Sequence, residues 1–94
     1  MEKIKYLIEY DVAIEEKLRK LPKSIRGMIR IAIEKKLTVD PITFGKPLRY
    51  SLKGYRRLRV GDYRVIYRII EDKVFVLIVD VDHRKNIYEE SINP

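Results

Sequence analysis

The sequence predicts an α+β fold in which two N-terminal helices pack on one face of a mostly antiparallel four-stranded sheet. Its predicted order is β-α-α-β-β-β with a short C-terminal tail or helix. Three observations predict it: apolar residues alternate in the first segment, recur at helical spacing in the next, and form three β-prone runs near the end. One helix pair covers only one face of a sheet, so the other can carry charged side chains. We expect residues 1–94 to form a single domain.

The first strand is predicted over residues 3–10, where every second residue is isoleucine or tyrosine. Asp11 is placed to cap the helix that follows. Pro22 ends this first helix and suits the first turn of the second one. The apolar stripe of the second helix is expected to join the core, and it consists of Ile25, Met28, Ile29, Ala32 and Ile33.

The second half of the chain reads as a long loop followed by three strands. The loop, predicted over residues 38–53, has no regular pattern and is of a length that is often functional. Two β-prone runs, residues 54–60 and 63–69, flank Gly61-Asp62, which predicts a tight antiparallel hairpin. The run at residues 74–79 is apolar on both faces, as in a central, covered strand. The polar tail, residues 82–94, includes a candidate helix at residues 86–91.

Composition narrows the location and the chemistry. The chain has no cysteine, which excludes a disulfide framework and a thiolate metal site. With a single histidine besides, we expect no metal and no cofactor.

The N-terminal segment has charges inside its apolar stretch, unlike a signal peptide. No apolar run approaches the ~20 residues of a membrane span. The expected location is the cytoplasm, with no membrane partner.

Positive charge is concentrated in one stretch, residues 45–68, which we call the basic segment. The whole chain has a net charge of +7, and this segment alone accounts for it, since the rest sums to zero. Focused positive charge is typical of a protein that binds a phosphate backbone. A merely soluble face is the plain alternative, but such a face is usually rich in lysine, whereas arginine suits phosphate. The basic residues of the segment are Lys46, Arg49, Lys53, Arg56, Arg57, Arg59, Arg64 and Arg68.

Strand alternation predicts how the hairpin presents these charges. Side chains along a strand point alternately to its two faces, so Arg57 and Arg59 share a face with Tyr55. On the partner strand, Arg64 and Arg68 share a face. Pairing the two strands with both basic rows outward gives a sheet surface with four arginines and a tyrosine.

These residues, with those of the tail, are suited to phosphoryl chemistry on RNA. Cleavage by the ribose 2′-hydroxyl needs a base, positive charge on the phosphate in the transition state, and an acid for the leaving 5′-oxygen. Arginine supplies the charge but cannot act as the base. His83, the only histidine, is a side chain of the type that serves as a general acid or base. Tyr88 can donate a proton or stack on a base.

Three stretches carry a resemblance to a known family. They are the helix junction "KLPKSIR", the segment "GKPLRYSLKGYRRLRVGDYRVIYRI" and the terminal "DHRKNIY". Together they resemble the RelE/ParE superfamily of toxins from toxin–antitoxin pairs, in particular its RelE-like branch. The hairpin "RLRVGDYRVIY" is the most specific part, and the similarity covers nearly the whole chain.

The resemblance implies a metal-independent, ribosome-dependent endoribonuclease that cuts mRNA in the ribosomal A site and so inhibits translation. It implies that the partners are the ribosome, mRNA and a cognate antitoxin, with a monomeric free toxin and a hetero-oligomeric complex. Position by position, Arg64 matches the arginine that stabilises the transition state, and Arg84 matches a second phosphate-binding arginine. Tyr88 matches the tyrosine that orients or stacks on the substrate. Arg57 falls where relatives have a lysine acting as general base, and Tyr55 where they have another lysine.

Because both lysine positions differ, the resemblance leaves the general base open between His83 and Lys53. It also leaves two other functions open: a ParE-like inhibitor of DNA gyrase without nuclease activity, and a catalytically weak RNA-binding relative. The further residues expected to bind RNA or the ribosome are Lys46, Arg49, Lys53, Tyr55, Arg56, Arg59, Arg68 and Lys85.

Overall fold

The computed structural model describes residues 5–86, the Glu71 side chain excepted, and confirms the α+β class. The helices contain eight, ten and four residues, and the strands range from two to nine. The elements are β1 Leu7–Tyr10, α1 Val12–Arg19, α2 Lys23–Ala32, α3 Pro41–Phe44, β2 Lys46–Pro47, β3 Arg56–Val60, β4 Tyr63–Ile70 and β5 Phe75–His83.

The strands form one mixed sheet in the order β1-β5-β4-β3-β2. β1 pairs with β5 in parallel, and the other neighbours are antiparallel. The sheet has five strands instead of the predicted four, because β2 adds a two-residue edge beside β3. The predicted central strand does lie between two others, β1 and β4, and it continues beyond Val79 to His83.

The segment predicted to be an irregular loop contains short elements instead. Asp40 begins α3 by accepting a hydrogen bond from the Thr43 backbone N–H at 3.1 Å, and Pro41 occupies the first turn. β2 follows at once, and a single 3₁₀ turn covers Tyr50–Leu52. Such elements are too short to show a hydrophobic period, so the sequence pattern does not reveal them.

The first two helices begin where their capping residues indicate. The Asp11 carboxylate accepts a hydrogen bond from the Ala13 backbone N–H at 2.9 Å, and α2 begins directly after Pro22. α2 continues into a π-helical turn, Ile33–Leu37. Ile29 and Ile33 are fully buried, but Met28 is 41% exposed. The expectation that Met28 joins the core is therefore wrong, because the centre of the buried stripe runs through Ile29 and Ile33.

The hairpin forms as predicted around Gly61-Asp62. Val60 pairs with Tyr63, so the connection has two residues. Gly61 has a φ of +60°, a left-handed conformation that costs glycine little, whereas Asp62 is not among the positive-φ residues. Glycine at the first central position is typical of a type II′ turn, whose twist matches that of the flanking strands.

One face of the sheet packs against the helices and forms the core. Helices α1 and α2 contribute Ile14, Leu18 and Ile29, and the sheet contributes residues such as Val65, Tyr67 and Ile78. The Tyr67 hydroxyl donates a hydrogen bond to the Pro41 carbonyl, which ties α3 to this core. Within residues 5–86, no helix is both long and apolar enough to cross a membrane.

β5 contains an irregularity that determines which side chains face outward. Ile66 pairs with Asp80 and Tyr67 pairs with Ile78, so Val79 is an extra residue in β5. Such a β-bulge shifts the inside–outside alternation by one residue. Ile78 is buried before the bulge and Val81 after it, and Asp80 and Asp82 consequently face away from the core.

Candidate nucleic-acid interface

The face of the sheet opposite the helices, which we call the open face, carries basic side chains in rows across the strands. In one row, Arg59 of β3 pairs with Arg64 of β4, which pairs with Asp82 of β5. Directly paired residues on one face of a sheet have Cβ atoms ~4.5–5.5 Å apart. The two arginine side chains therefore leave the sheet next to each other, and the Arg64 Nη1 also donates to the Tyr63 carbonyl at 3.4 Å.

The neighbouring row begins at the sheet edge. Lys46 of β2 pairs with Arg57 of β3, Arg57 pairs with Ile66, and Ile66 pairs with Asp80. Arg57 and Arg64 are therefore diagonal neighbours on the same face. The prediction that alternation brings Arg57, Arg59 and Arg64 to one face is confirmed by this register.

The two central arginines are largely buried, and the outer ones are exposed. Arg57 and Arg64 are only 8% and 7% exposed, whereas Arg59 and Arg68 are accessible to solvent. A charge in a partly desolvated position interacts more strongly with a phosphate than a fully solvated charge does. The open face thus combines two largely buried arginines, Arg57 and Arg64, with exposed cationic residues around them. These exposed residues are Arg59, Arg68 and Lys46.

Arg56 lies on the other side of the sheet from its neighbour Arg57. It pairs with Tyr67, and its Nη2 donates hydrogen bonds to the carbonyls of Ile42 and Gly45, the latter at 3.0 Å. These hydrogen bonds link Arg56 of β3 to the α3 segment. Arg49 and Lys53, also expected to bind RNA, are exposed beside the 3₁₀ turn, and Tyr55 is half-buried just before β3.

His83 does not lie beside Arg64. It ends β5 opposite Tyr63, and the two rings meet edge to face with centroids 5.3 Å apart. Its Nδ1 accepts a hydrogen bond from the Lys85 backbone N–H at 3.1 Å. Because Asp82 precedes it and pairs with Arg64, His83 faces the opposite side of the strand.

The rest of the tail begins next to the hairpin turn. The Arg84 backbone N–H donates to the Asp62 carbonyl at 2.8 Å, and Arg84 Nε lies 3.8 Å from Asp62 Oδ1. Arg84 and Lys85 are exposed, so both are accessible for a phosphate contact. Tyr88 and most of the candidate helix at residues 86–91 lie outside the described residues.

Sequence reasoning missed two carboxylates on the open face, Asp80 and Asp82. Lys17 of α1 binds both, with Nζ 2.7 Å from Asp80 Oδ1 and 3.1 Å from Asp82 Oδ2. Asp82 Oδ1 also accepts hydrogen bonds from the Asn86 side chain at 3.0 Å and the His83 backbone N–H at 2.8 Å. Their i, i+2 spacing is the available signal, because it places two side chains on one face of a strand.

These contacts shift the pKa values of Asp82 and Lys17. Burial alone raises the pKa of Asp82, but the hydrogen bonds from Asn86, Lys17 and the His83 backbone outweigh it and hold the pKa below its usual value. Burial lowers the pKa of Lys17, and its bonds to Asp80 and Asp82 raise it above the usual value. Both groups are therefore charged at neutral pH, and the pair joins α1 to β5.

Comparisons with known proteins place the chain in a family. A family model for the ParE toxin of the type II toxin–antitoxin system parDE matches residues 8–88. Toxin RelG of Mycobacterium tuberculosis is 36% identical over 83 residues, which cover 88% of this chain and 95% of RelG. The mRNA interferase toxin RelE of Escherichia coli K12 is 28% identical over 90 residues, covering 93% of this chain and 94% of that toxin.

A solved structure shares the fold over most of its length. A chain of the RelBE2 toxin–antitoxin complex from M. tuberculosis has a TM-score of 0.82 and 33% identity, covering 90% of this chain and 98% of that one. The family model, the relatives and the fold agree on one assignment. This chain belongs to the RelE/ParE superfamily of type II toxin–antitoxin toxins and is RelE-like.

Proposed function

We propose that this toxin is an mRNA endoribonuclease that acts on the ribosome in the cytoplasm and inhibits translation. The observation that carries the proposal is the pair of largely buried arginines, Arg57 and Arg64, within a basic open face. The name of the E. coli relative, mRNA interferase toxin RelE, supports the same chemistry.

In this proposal Arg64 stabilises the negative charge that develops on the scissile phosphate. Arg57 and Arg59 flank it in the sheet and hold the neighbouring phosphate oxygens or the next phosphate. Catalysis of this kind depends mainly on positioning and on charge stabilisation. In the same proposal, His83, whose ring meets that of Tyr63 at the end of β5, or Lys53 accepts the proton of the attacking 2′-hydroxyl.

The proposed partner that silences the toxin is an antitoxin. The M. tuberculosis RelBE2 neighbour was solved as a toxin–antitoxin complex, and so was the RelB–RelE pair of Methanococcus jannaschii. A basic open face is best neutralised by an acidic, partly disordered partner that folds on binding. We propose a hetero-oligomeric complex with such a partner.

Substitution of Arg64 tests the catalytic role. Arg64→Ala should lower the rate of mRNA cleavage by ~10²–10³-fold, as removal of one transition-state donor does, with little loss of ribosome binding. The measurement is cleavage in a reconstituted translation reaction with mapped mRNA ends, alongside ribosome binding by sedimentation. Arg19→Ala is the matched control, because Arg19 is exposed on α1 and its side chain forms an ion pair with Glu16 at 3.1 Å, away from the open face. Equal loss of binding and cleavage would reduce Arg64 to an anchor.

The same reaction distinguishes the proposed nuclease from a second candidate function, ParE-like inhibition of DNA gyrase. The match to a ParE family model favours this second candidate. Ribosome-free mRNA and a DNA gyrase supercoiling assay are run in parallel. Cuts that require the ribosome support the proposed nuclease. Intact mRNA together with inhibited gyrase would replace it with ParE-like activity.

A further inference from the structure

A cavity of about 410 Å³ opens on the open face beside the arginine rows. Cavities of roughly 300–1,000 Å³ are typical of small-ligand sites. Its walls combine apolar and polar groups in similar amounts, and they are formed by Ser51, Leu52, Tyr55, Ile66, Val79, Asp80 and Asn86.

The cavity shares two residues with the arginine rows. Ile66 pairs with Arg57 on one side and with Asp80 on the other, so the cavity and the guanidinium groups are direct neighbours on the sheet. A nucleotide whose phosphate contacts Arg57 or Arg64 therefore has its base within reach of this cavity. The half-buried ring of Tyr55 provides an aromatic surface on which a base can stack.

Asp80 supplies the polar group that can select a base. Its Oδ1 accepts hydrogen bonds from Lys17 Nζ at 2.7 Å and from the Val81 backbone N–H at 2.9 Å, which hold the carboxylate in place. Among residues 5–86, Oδ1 is the oxygen of Asp80 that accepts these hydrogen bonds, Oδ2 accepts none, and the side chain is 42% exposed. A positioned carboxylate oxygen accepts hydrogen bonds and cannot donate them when ionised.

We propose that this cavity binds one nucleobase of single-stranded RNA and that Asp80 selects bases carrying an exocyclic amino group. The inference rests on the proposed function, because it takes RNA as the ligand of the open face. Cytosine, adenine and guanine each present such an amino group on the edge that pairs, and carboxylates accept from it. Uracil presents its N3–H between two carbonyl oxygens, which a carboxylate repels.

The test compares the four ribonucleoside 5′-monophosphates, which share the same ribose and phosphate. Each is titrated into the ¹⁵N-labelled protein and followed by NMR chemical shifts of the Tyr55, Ile66 and Asp80 amides. We expect the cytidine, adenosine and guanosine monophosphates to bind ~10-fold more tightly than the uridine monophosphate, in line with one good base contact. Equal binding of all four would overturn the inference.

Two variants assign the preference to Asp80. Asp80→Asn should abolish the discrimination against uracil, because the amide presents both a donor and an acceptor. Asp72→Asn is the matched control: it makes the same change of charge at an exposed turn residue before β5 and should keep the preference. A preference retained in Asp80→Asn would overturn the role of Asp80, and its loss in both variants would too.

Failure of the inference and failure of the proposed function give different results. If all four nucleotides bind equally and Arg64→Ala weakens them all, the phosphate site stands and the base site is wrong. If the base preference is found but mRNA stays intact on the ribosome, the base site stands and the nuclease is wrong. Because the comparison of nucleotides uses the wild-type protein, the inference remains testable even if a variant fails to fold.

Discussion

The helix-covered face and the open face are built from the same strands, yet they carry opposite kinds of side chain. On β3, Leu58 and Val60 are buried against the helices, while Arg57 and Arg59 face the other way. On β4, Val65 is buried on the helix side and Arg64 lies in the basic row. Strand alternation thus lets one short hairpin supply both part of the core and the proposed phosphate site.

Adjacent residues show the contrast most clearly. Arg56 and Arg57 are chemically identical, but Arg56 binds the carbonyls of Ile42 and Gly45, and Arg57 pairs with Ile66 on the open face. The role of an arginine in this segment therefore depends on which face of the strand it occupies rather than on its residue type. Three experiments test this division between the two faces.

The largest expected effect on stability comes from truncating the covered face. Ile78 is fully buried in the core, so Ile78→Ala should lower the free energy of unfolding by ~2–5 kcal/mol through lost burial and a residual cavity. Urea-induced unfolding measures this. Arg68→Ala on the open face is the comparison, with an expected change within about 0.5 kcal/mol. A similar loss of unfolding free energy in Ile78→Ala and Arg68→Ala would contradict the division into a covered and an open face.

Two arginines of β3 should separate stability from RNA binding. Arg56→Met leaves carbonyl acceptors of the α3 segment without their partner and should cost ~1–3 kcal/mol of stability. Arg59→Met removes an exposed charge and should leave stability within about 0.5 kcal/mol. It should instead weaken RNA binding and reduce the salt slope by about 1. Thermal unfolding and RNA affinity at several salt concentrations measure both; the reverse pattern would show that the two faces are misassigned.

The smallest effect concerns the carboxylate that joins the open face to α1. The pKa of Asp82 is lowered from 3.8 in the folded state, so its ionised form stabilises the protein above about pH 3.8. This contribution is lost as pH falls through the lowered value. Asp82→Asn should therefore cost up to about 1 kcal/mol at neutral pH, and the difference from wild type should shrink below pH 4. Unfolding free energies across this pH range measure it, and a constant difference would exclude the ionised pair as its source.

Much of the fold follows from local patterns. The Asp11 cap, the break at Pro22, the Gly61-Asp62 hairpin and the central strand could all be predicted because each depends on neighbouring residues. The elements within residues 38–53 could not, because α3 and β2 are defined by contacts with distant parts of the chain. Tyr67 anchors α3 through the Pro41 carbonyl, and β3 provides the partner for β2.

For the candidate site, charge and alternation in the hairpin were sufficient to predict that Arg57, Arg59 and Arg64 share one face of the sheet. The end of β5 was different. Simple alternation from the buried Val76 and Ile78 would place Asp80 inward and His83 on the open face. The extra residue Val79 reverses this, so Asp80 and Asp82 face the arginines, and His83 packs against Tyr63.

Composition and the two-residue period of a strand were therefore sufficient to locate the positive charge and the hairpin residues that present it. Which groups lie beside that charge depends instead on how the strands pair in the folded protein. A bulge depends on how one strand pairs with the next, and local sequence does not specify that pairing. The basic segment supplies the arginines, whereas the register of β5 places two carboxylates and a cavity next to them.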